Sequence, residues 1–212
     1  MPSNEWGTDA QVERYLSRAD EFPHRLEADA ALLEQVPVNA RRVLDLGTGD
    51  GRVLGLLRER ADIVGVGLDA SEPMLEAAAE RFRDVDSIEL RAHDMDDPLP
   101  GDLGKFEVVV SSFAIHHLEH ERKRALYGEV MDLLQPGGAF VNLEHVSSPT
   151  RRLHEAFFEA IGERIEDEDP SDRLLDVETQ VRWLRELGFE EADCFWKWRE
   201  MAVFGGWKPS AA

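Results

Sequence analysis

Between Val43 and Arg52 the chain reads Val-Leu-Asp-Leu-Gly-Thr-Gly-Asp-Gly-Arg, with Gly47, Gly49 and Gly51 at every second position. Glycines spaced in this way let a backbone turn sharply and approach a ligand with no Cβ between them. Val43, Leu44 and Leu46 lead in as a short buried strand, and an apolar helical pattern follows from Val53. A strand, a glycine turn and a helix start form the usual ligand site of an α/β sheet. Asp69 ends a second apolar run 22 positions after Gly47. A carboxylate at that spacing accepts hydrogen bonds from both hydroxyls of a ribose. His116 is the first ionisable side chain after a fourth run, Val108-Val109-Val110-Ser111. Its ordinary pKa of about 6.5 suits it to take a proton near neutral pH or, with no proton to move, to wall a pocket. Glu144 and His145 end a fifth run, where they either position or deprotonate an acceptor or simply leave the sheet as polar residues.

The elements that must position these groups follow from periodicity. Thr8–Val36 is helical in spacing, broken at Pro23 and ended by Pro37, and reads as two short helices over the sheet or over the ligand. Strands are expected at Arg41–Leu46, Ile63–Leu68, Ser87–Ala92, Phe106–Ser111 and Ala139–Glu144, with helices between them. Ser71, with Glu72 and Pro73 after it, suits the start of one of those helices. A helix from Pro149 to about Gly162, an acidic surface loop at Ile165–Ser171, a helix over Asp176–Leu187 and two closing strands, Glu191–Arg199 and Met201–Lys208, complete the chain. Alternation of strand and helix implies a parallel sheet covered on both faces.

The dinucleotide fingerprint G-x-G-x-x-G fails here, because Arg52 stands where its third glycine belongs. Asp45-x-Gly47-x-Gly49-x-Gly51 instead resembles the first motif of the class I S-adenosylmethionine-dependent methyltransferases. Leu68-Asp69-Ala70-Ser71-Glu72-Pro73-Met74-Leu75 resembles the second, His93-Asp94-Met95 the third, and Val110-Ser111-Ser112-Phe113-Ala114-Ile115-His116-His117-Leu118-Glu119 the segment that closes over the methionine. Pro136-Gly137-Gly138 and Trp183-Leu184-x-x-Leu187-Gly188-Phe189 match as well, so the resemblance runs from Arg41 to Lys208.

The resemblance implies a Rossmann-like, seven-stranded doubly wound sheet with its last strand antiparallel. It implies one domain over residues 1–212, with a helical lid at 1–40, a cofactor-binding half at 41–145 and substrate-side helices and a final strand pair at 146–212. S-adenosyl-L-methionine is the implied cofactor and S-adenosyl-L-homocysteine the product. Asp45, Gly47, Thr48, Gly49 and Gly51 would hold it from the first loop. Asp69 and Ala70 would face the ribose, Met74 the adenine, and His93, Asp94 and Met95 the adenine edge. Ser111, Ser112 and Phe113 would close over the methionine, with Arg25 toward its carboxylate. His116, Glu144 and His145 are the catalytic candidates, and Tyr15, His116, His117 and Glu144 the acceptor-binding ones; in the resembling family His117 more often packs against the next helix. The layout is similar to members of the carboxy-S-adenosylmethionine synthase type at Glu21-Phe22-Pro23, Val177-Glu178-Thr179 and the Phe195–Phe204 ending. It departs from them in a shorter segment after strand five, where Arg173 is a poor candidate to hold an additional carboxylate.

Composition bounds the rest. The formal charge of −20 argues against binding to a phosphate backbone, which needs Lys and Arg, so nucleic acid is an unlikely partner and a small-molecule acceptor is favoured. A tRNA-modifying enzyme and a cofactor-binding protein without catalysis are the alternatives. The acid excess reads as a solvated surface or as adaptation to salt. One cysteine, Cys194, excludes an internal disulfide and fits a cytoplasmic monomer or homodimer. No apolar run approaches the length of a membrane span. His116, His117 and His120 could suggest a metal, since His at i and i+4 share a helix face, but with no cysteine beside them and the segment straddling a loop and a helix start, no metal is expected.

Overall fold

The computed structural model describes residues 22–210. Seven strands, β1 Arg42–Leu46, β2 Val64–Asp69, β3 Ile88–Ala92, β4 Phe106–Ser112, β5 Leu134–His145, β6 Glu190–Trp198 and β7 Met201–Trp207, form one sheet in the order β3-β2-β1-β4-β5-β7-β6. The first five are parallel, and β7 lies antiparallel between β5 and β6. The order reverses at β1, whose neighbours are β2 and β4. In such a sheet the crevice beyond the carboxyl ends of the strands, at the reversal, is where ligands sit. The expected sheet with an antiparallel last strand is therefore present.

Six α-helices cover it among the described residues: α1 Arg25–Gln35, α2 Arg52–Arg60, α3 Glu72–Arg81, α4 His120–Leu133, α5 Arg151–Ile161 and α6 Val177–Glu186. Successive strand side chains point to opposite faces, so one strand feeds two cores. Leu44 and Leu46 join Leu126, Tyr127 and Val130 of α4 and Val181 and Leu184 of α6 on one face. Val43, Val108, Val110 and Val141 join Ala28 and Leu32 of α1, Leu54 and Leu57 of α2, and Phe157 and Phe158 of α5 on the other. Ser71 caps α3 by accepting from the Met74 N–H, and Asp176 caps α6 by accepting from Thr179.

Two expectations change. The strand expected at Ala139–Glu144 begins five residues earlier, at Leu134, because Phe106 pairs with Leu134 before a register shift carries the ladder past Pro136-Gly137-Gly138. That segment is an irregular part of β5. Of the two expected amino-terminal helices, the second is α1, packed against β5 and β7. The first, with Arg14 and Tyr15, lies outside the described residues.

Candidate active site

β1 ends in Asp45 and Leu46, and the chain then turns through Gly47, Thr48, Gly49, Asp50 and Gly51 into α2. Gly47 and Gly49 hold φ of +68° and +54°, the left-handed region that side chains resist. A Cβ on Gly47 would lie 2.1 Å from the Ala114 Cβ, so the loop packs tightly against the chain leaving β4. Around Gly49, by contrast, a Cβ would meet nothing within 4 Å, which leaves the loop's outer side open to a ligand.

Asp69, at the end of the neighbouring β2, accepts from the Gly49 N–H at 2.8 Å and from the Ser71 N–H at 2.8 Å. The ribose-facing candidate is thus fastened to the glycine loop, with lone pairs left on each oxygen. Burial raises its pKa, against the pull of these backbone donors and of Ala70. Asp45 is buried. Its Oδ2 accepts from the Thr48 hydroxyl at 2.8 Å, while its Oδ1 is buried and accepts no hydrogen bond. Burial pushes its pKa up to about 7, with the hydroxyl opposing and the charges of Asp69 and Asp50 adding to the rise. An unpaired buried acceptor under an open glycine loop fits a ligand that brings a donor or a positive charge. On that observation the residues fit the cofactor the sequence implies.

The other cofactor candidates lie along the same crevice. His93 donates its backbone N–H to the Asp69 carbonyl, continuing the ladder between β2 and β3, and its Nε2 is buried without a hydrogen bond. Asp94 is exposed and folds its Oδ1 back onto the Asp96 N–H; Met95 is half-buried, and its carbonyl accepts from Arg122. Met74 is buried at the start of α3, and Ala70 is exposed in the turn before it. Ser111 is spent on structure, donating its hydroxyl to the Leu46 carbonyl at 2.7 Å. Phe113, just past β4, holds φ of +52°, a strained value for an aromatic residue. Arg25 lies 4.9 Å over its ring and donates to Ser112 and to Asp29. Asp29 also accepts from Arg52, so it bridges two guanidinium groups beside the glycine loop.

Beyond β4 the chain makes a single 3-10 turn, Ile115–His117, and the catalytic candidates meet there. His116 is buried, and its Nδ1 lies 2.6 Å from Oε1 of Glu144 at the end of β5. Its other nitrogen, Nε2, lies 3.5 Å from Oδ1 of Asp172. His117 does not turn away toward the next helix, as the resemblance implies. Its ring sits 4.0 Å from that of His116 and its Nδ1 lies 3.3 Å from the same Asp172 oxygen. The cause is the segment 169–173, which is drawn over the turn. Arg173 donates its N–H to the His116 carbonyl, and the buried Lys123 ammonium donates to the carbonyls of His116, Leu118 and Arg173. His145 completes the group, with Nδ1 at 3.5 Å from Asp172 and Nε2 at 3.1 Å from the buried Glu200. Glu200 also accepts from His154. His120 stands apart, exposed and facing the Leu174 carbonyl.

The charges follow this geometry. Burial raises the pKa of Glu144 and of Asp172, but imidazole neighbours more than offset it and hold both carboxyls below their ordinary value. Burial also lowers His145, and the carboxylates of Asp172 and Glu200 reverse it to well above 6.5. His117 falls instead, through burial and the neighbouring His116. Asp172, Lys123 and Glu200 were not singled out from the sequence. Asp172 sits in a stretch whose acidic run reads as solvent-exposed, and no spacing ties it to histidines more than fifty residues earlier.

Comparison with known proteins follows the same lines. Residues 43–138 match the model of the methyltransferase domain. An uncharacterized methyltransferase of Mycobacterium bovis is 33% identical over 123 residues, 58% of this chain and 60% of the relative. The demethylmenaquinone methyltransferase of Thermus thermophilus is 35% identical over 140 residues, 65% of this chain and 61% of the relative. The chain thus spans about three fifths of the length of these curated relatives. The N-methyltransferase NodS of Bradyrhizobium japonicum, solved with S-adenosyl-L-homocysteine, superposes with a TM-score of 0.68 at 18% identity, covering 96% of this chain and 100% of that one, and so shares the fold.

Proposed function

We propose that this chain, a methyltransferase domain on the class I fold, transfers the methyl group of S-adenosyl-L-methionine to a small-molecule acceptor. The observation that carries the reading is the junction of the open Gly47–Gly51 loop with Asp69 and the unpaired Asp45 oxygen at the reversal point of the sheet. The cofactor supplies an activated methyl on a sulfonium, and the protein's part is to align the acceptor with it and to manage a proton. Asp69 takes the ribose hydroxyls, and Asp45 offers its free oxygen to a donor on the methionine end. Phe113, held in a strained backbone conformation under Arg25, forms the wall nearest that end.

The acceptor is placed by His116. Glu144 binds Nδ1 and thereby fixes the tautomer and the ring plane, which directs Nε2 to the space between the 3-10 turn and Asp172. An acceptor hydroxyl, amine or thiol seated there gives its proton to that nitrogen. Carboxylate transfer of the carboxy-S-adenosylmethionine type is disfavoured, because Arg173 donates to Glu119 and to the Pro170 and Asp172 carbonyls. The charge of −20 likewise favours a small acceptor over RNA. Turnover tests the reading: S-adenosyl-L-homocysteine should accumulate when the chain meets a panel of hydroxyl, amine and thiol acceptors. Cofactor binding with no product from any acceptor class would leave a binding protein without catalysis.

A further inference from the structure

The three imidazoles around Asp172 pose a question of charge and geometry. Asp172 Oδ1 is buried and accepts no hydrogen bond, although His116 Nε2 lies 3.5 Å away and His117 Nδ1 3.3 Å away. Buried carboxylate oxygens are ordinarily satisfied. The three atoms all lie within 4.8 Å of one another. Ligands of a tetrahedral cation with bonds of about 2.0–2.1 Å sit roughly 3.3 Å apart. The two separations to Asp172 are therefore those of ligands sharing an ion, and small rotations of the half-buried His117 and Asp172 complete the approach.

We propose that His116 Nε2, His117 Nδ1 and Asp172 Oδ1 bind one divalent first-row transition cation. Imidazole and carboxylate donors suit zinc, cobalt or iron(II) rather than calcium or magnesium. Three protein ligands leave at least one position open, the pattern of a catalytic rather than a structural site. The groups behind the ligands support it. Glu144 holds the far nitrogen of His116 at 2.6 Å, as carboxylates hold metal-bound histidines, and His145 lies 3.5 Å from Oδ2, the second oxygen of Asp172. Lys123 pins the carbonyls of both strands of the site, so its backbone is preformed. The competing contact is Ser171 Oγ, 3.0 Å from His117 Nδ1; because that hydroxyl donates to Asp169 it accepts from His117 Nδ1–H, so the cation must displace that proton, which moves to Nε2 or to solvent. The sequence expectation of no metal concerned His116, His117 and His120; the structure sets His120 apart and brings Asp172 to the other two.

The site stands on side-chain geometry alone. Its role rests on the methyl-transfer reading: with His116 Nε2 bound to the cation rather than free as a base, the open position would take an oxygen or sulfur of the acceptor, lower its pKa and let its proton pass to solvent. Chelator-stripped full chain, titrated with Co²⁺ and followed by visible absorption, tests the site. One Co²⁺ per chain should give saturable d–d bands that Zn²⁺ abolishes. Asp172→Ala and His117→Ala should lose them, and His120→Ala should keep them. S-adenosyl-L-homocysteine binding, measured on the same samples, checks that each variant is folded. Absent bands in the unaltered chain, or bands that persist in Asp172→Ala, would overturn the site. If the bands appear but S-adenosyl-L-homocysteine does not bind, the cation site stands and the methyltransferase reading falls.

Discussion

Nδ1 of His116, in the turn after β4, lies 2.6 Å from Oε1 of Glu144, the penultimate residue of β5. The bond ties together the carboxyl ends of two adjacent parallel strands, and it leaves Nε2 as the imidazole nitrogen that faces Asp172. His116→Asn removes that nitrogen while keeping a polar group of similar size. Methyl transfer should fall about 10²–10⁴-fold with cofactor affinity nearly unchanged. Single-turnover rates and calorimetry on the same preparation check it; a loss of only a few-fold would make His116 a wall of the pocket.

Asp69 joins the glycine loop to β2 through Gly49 and Ser71. Asp69→Ala should weaken S-adenosyl-L-homocysteine binding by about 1.5–3 kcal/mol, the scale of hydrogen bonds to a charged group. An unchanged dissociation constant would remove Asp69 from the ribose.

Asp45 makes the stability of the ligand-free protein depend on pH. Its folded pKa is raised from 3.8 to about 7, chiefly by burial, so between those values the folded state binds a proton that the unfolded state has released. Stability from this group is therefore full below about pH 4, declines as pH rises, and is gone above about pH 7. Asp69 is shifted in the same direction. Asp45→Asn should flatten the slope of unfolding free energy across that window. Denaturant melts at several pH values measure it, and an unaltered slope would contradict the assignment.

Lys123 holds segment 169–173 over the histidine turn through three carbonyls, one of them from Arg173. Lys123→Met keeps the apolar stem and leaves those carbonyls without their donor. The expected cost is on the order of 2–4 kcal/mol, with faster hydrogen exchange at residues 169–175 and in the 3-10 turn. Equal protection in both proteins would show that the segment is held by other contacts.

The sheet and the glycine loop with Asp69 were legible because their signals are local. Apolar runs at Val43–Leu46 and Val108–Val110, punctuated by glycines, leave little choice of element, and Asp69 follows from its distance to Gly47. The cluster around His116 was not. Asp172 and Glu200 reach the histidines from a loop and from the turn of the last hairpin, and their pairing exists only after the strand order is set. The resemblance implies that His117 packs against the next helix, whereas Lys123 and Arg173 decide where it faces. Lys123 itself reads as one more charge in the run Glu121-Arg122-Lys123-Arg124, though it is 1% exposed.

The Gly47–Gly51 loop, Asp45 and Asp69 are proposed to form a site for S-adenosyl-L-methionine. Calorimetric titration of the full chain with S-adenosyl-L-homocysteine, and separately with NAD, tests it most directly. Saturable binding of S-adenosyl-L-homocysteine at one site per chain is expected, weakened in Asp69→Ala, with no heat from NAD. Tight NAD binding with no response to S-adenosyl-L-homocysteine would contradict it.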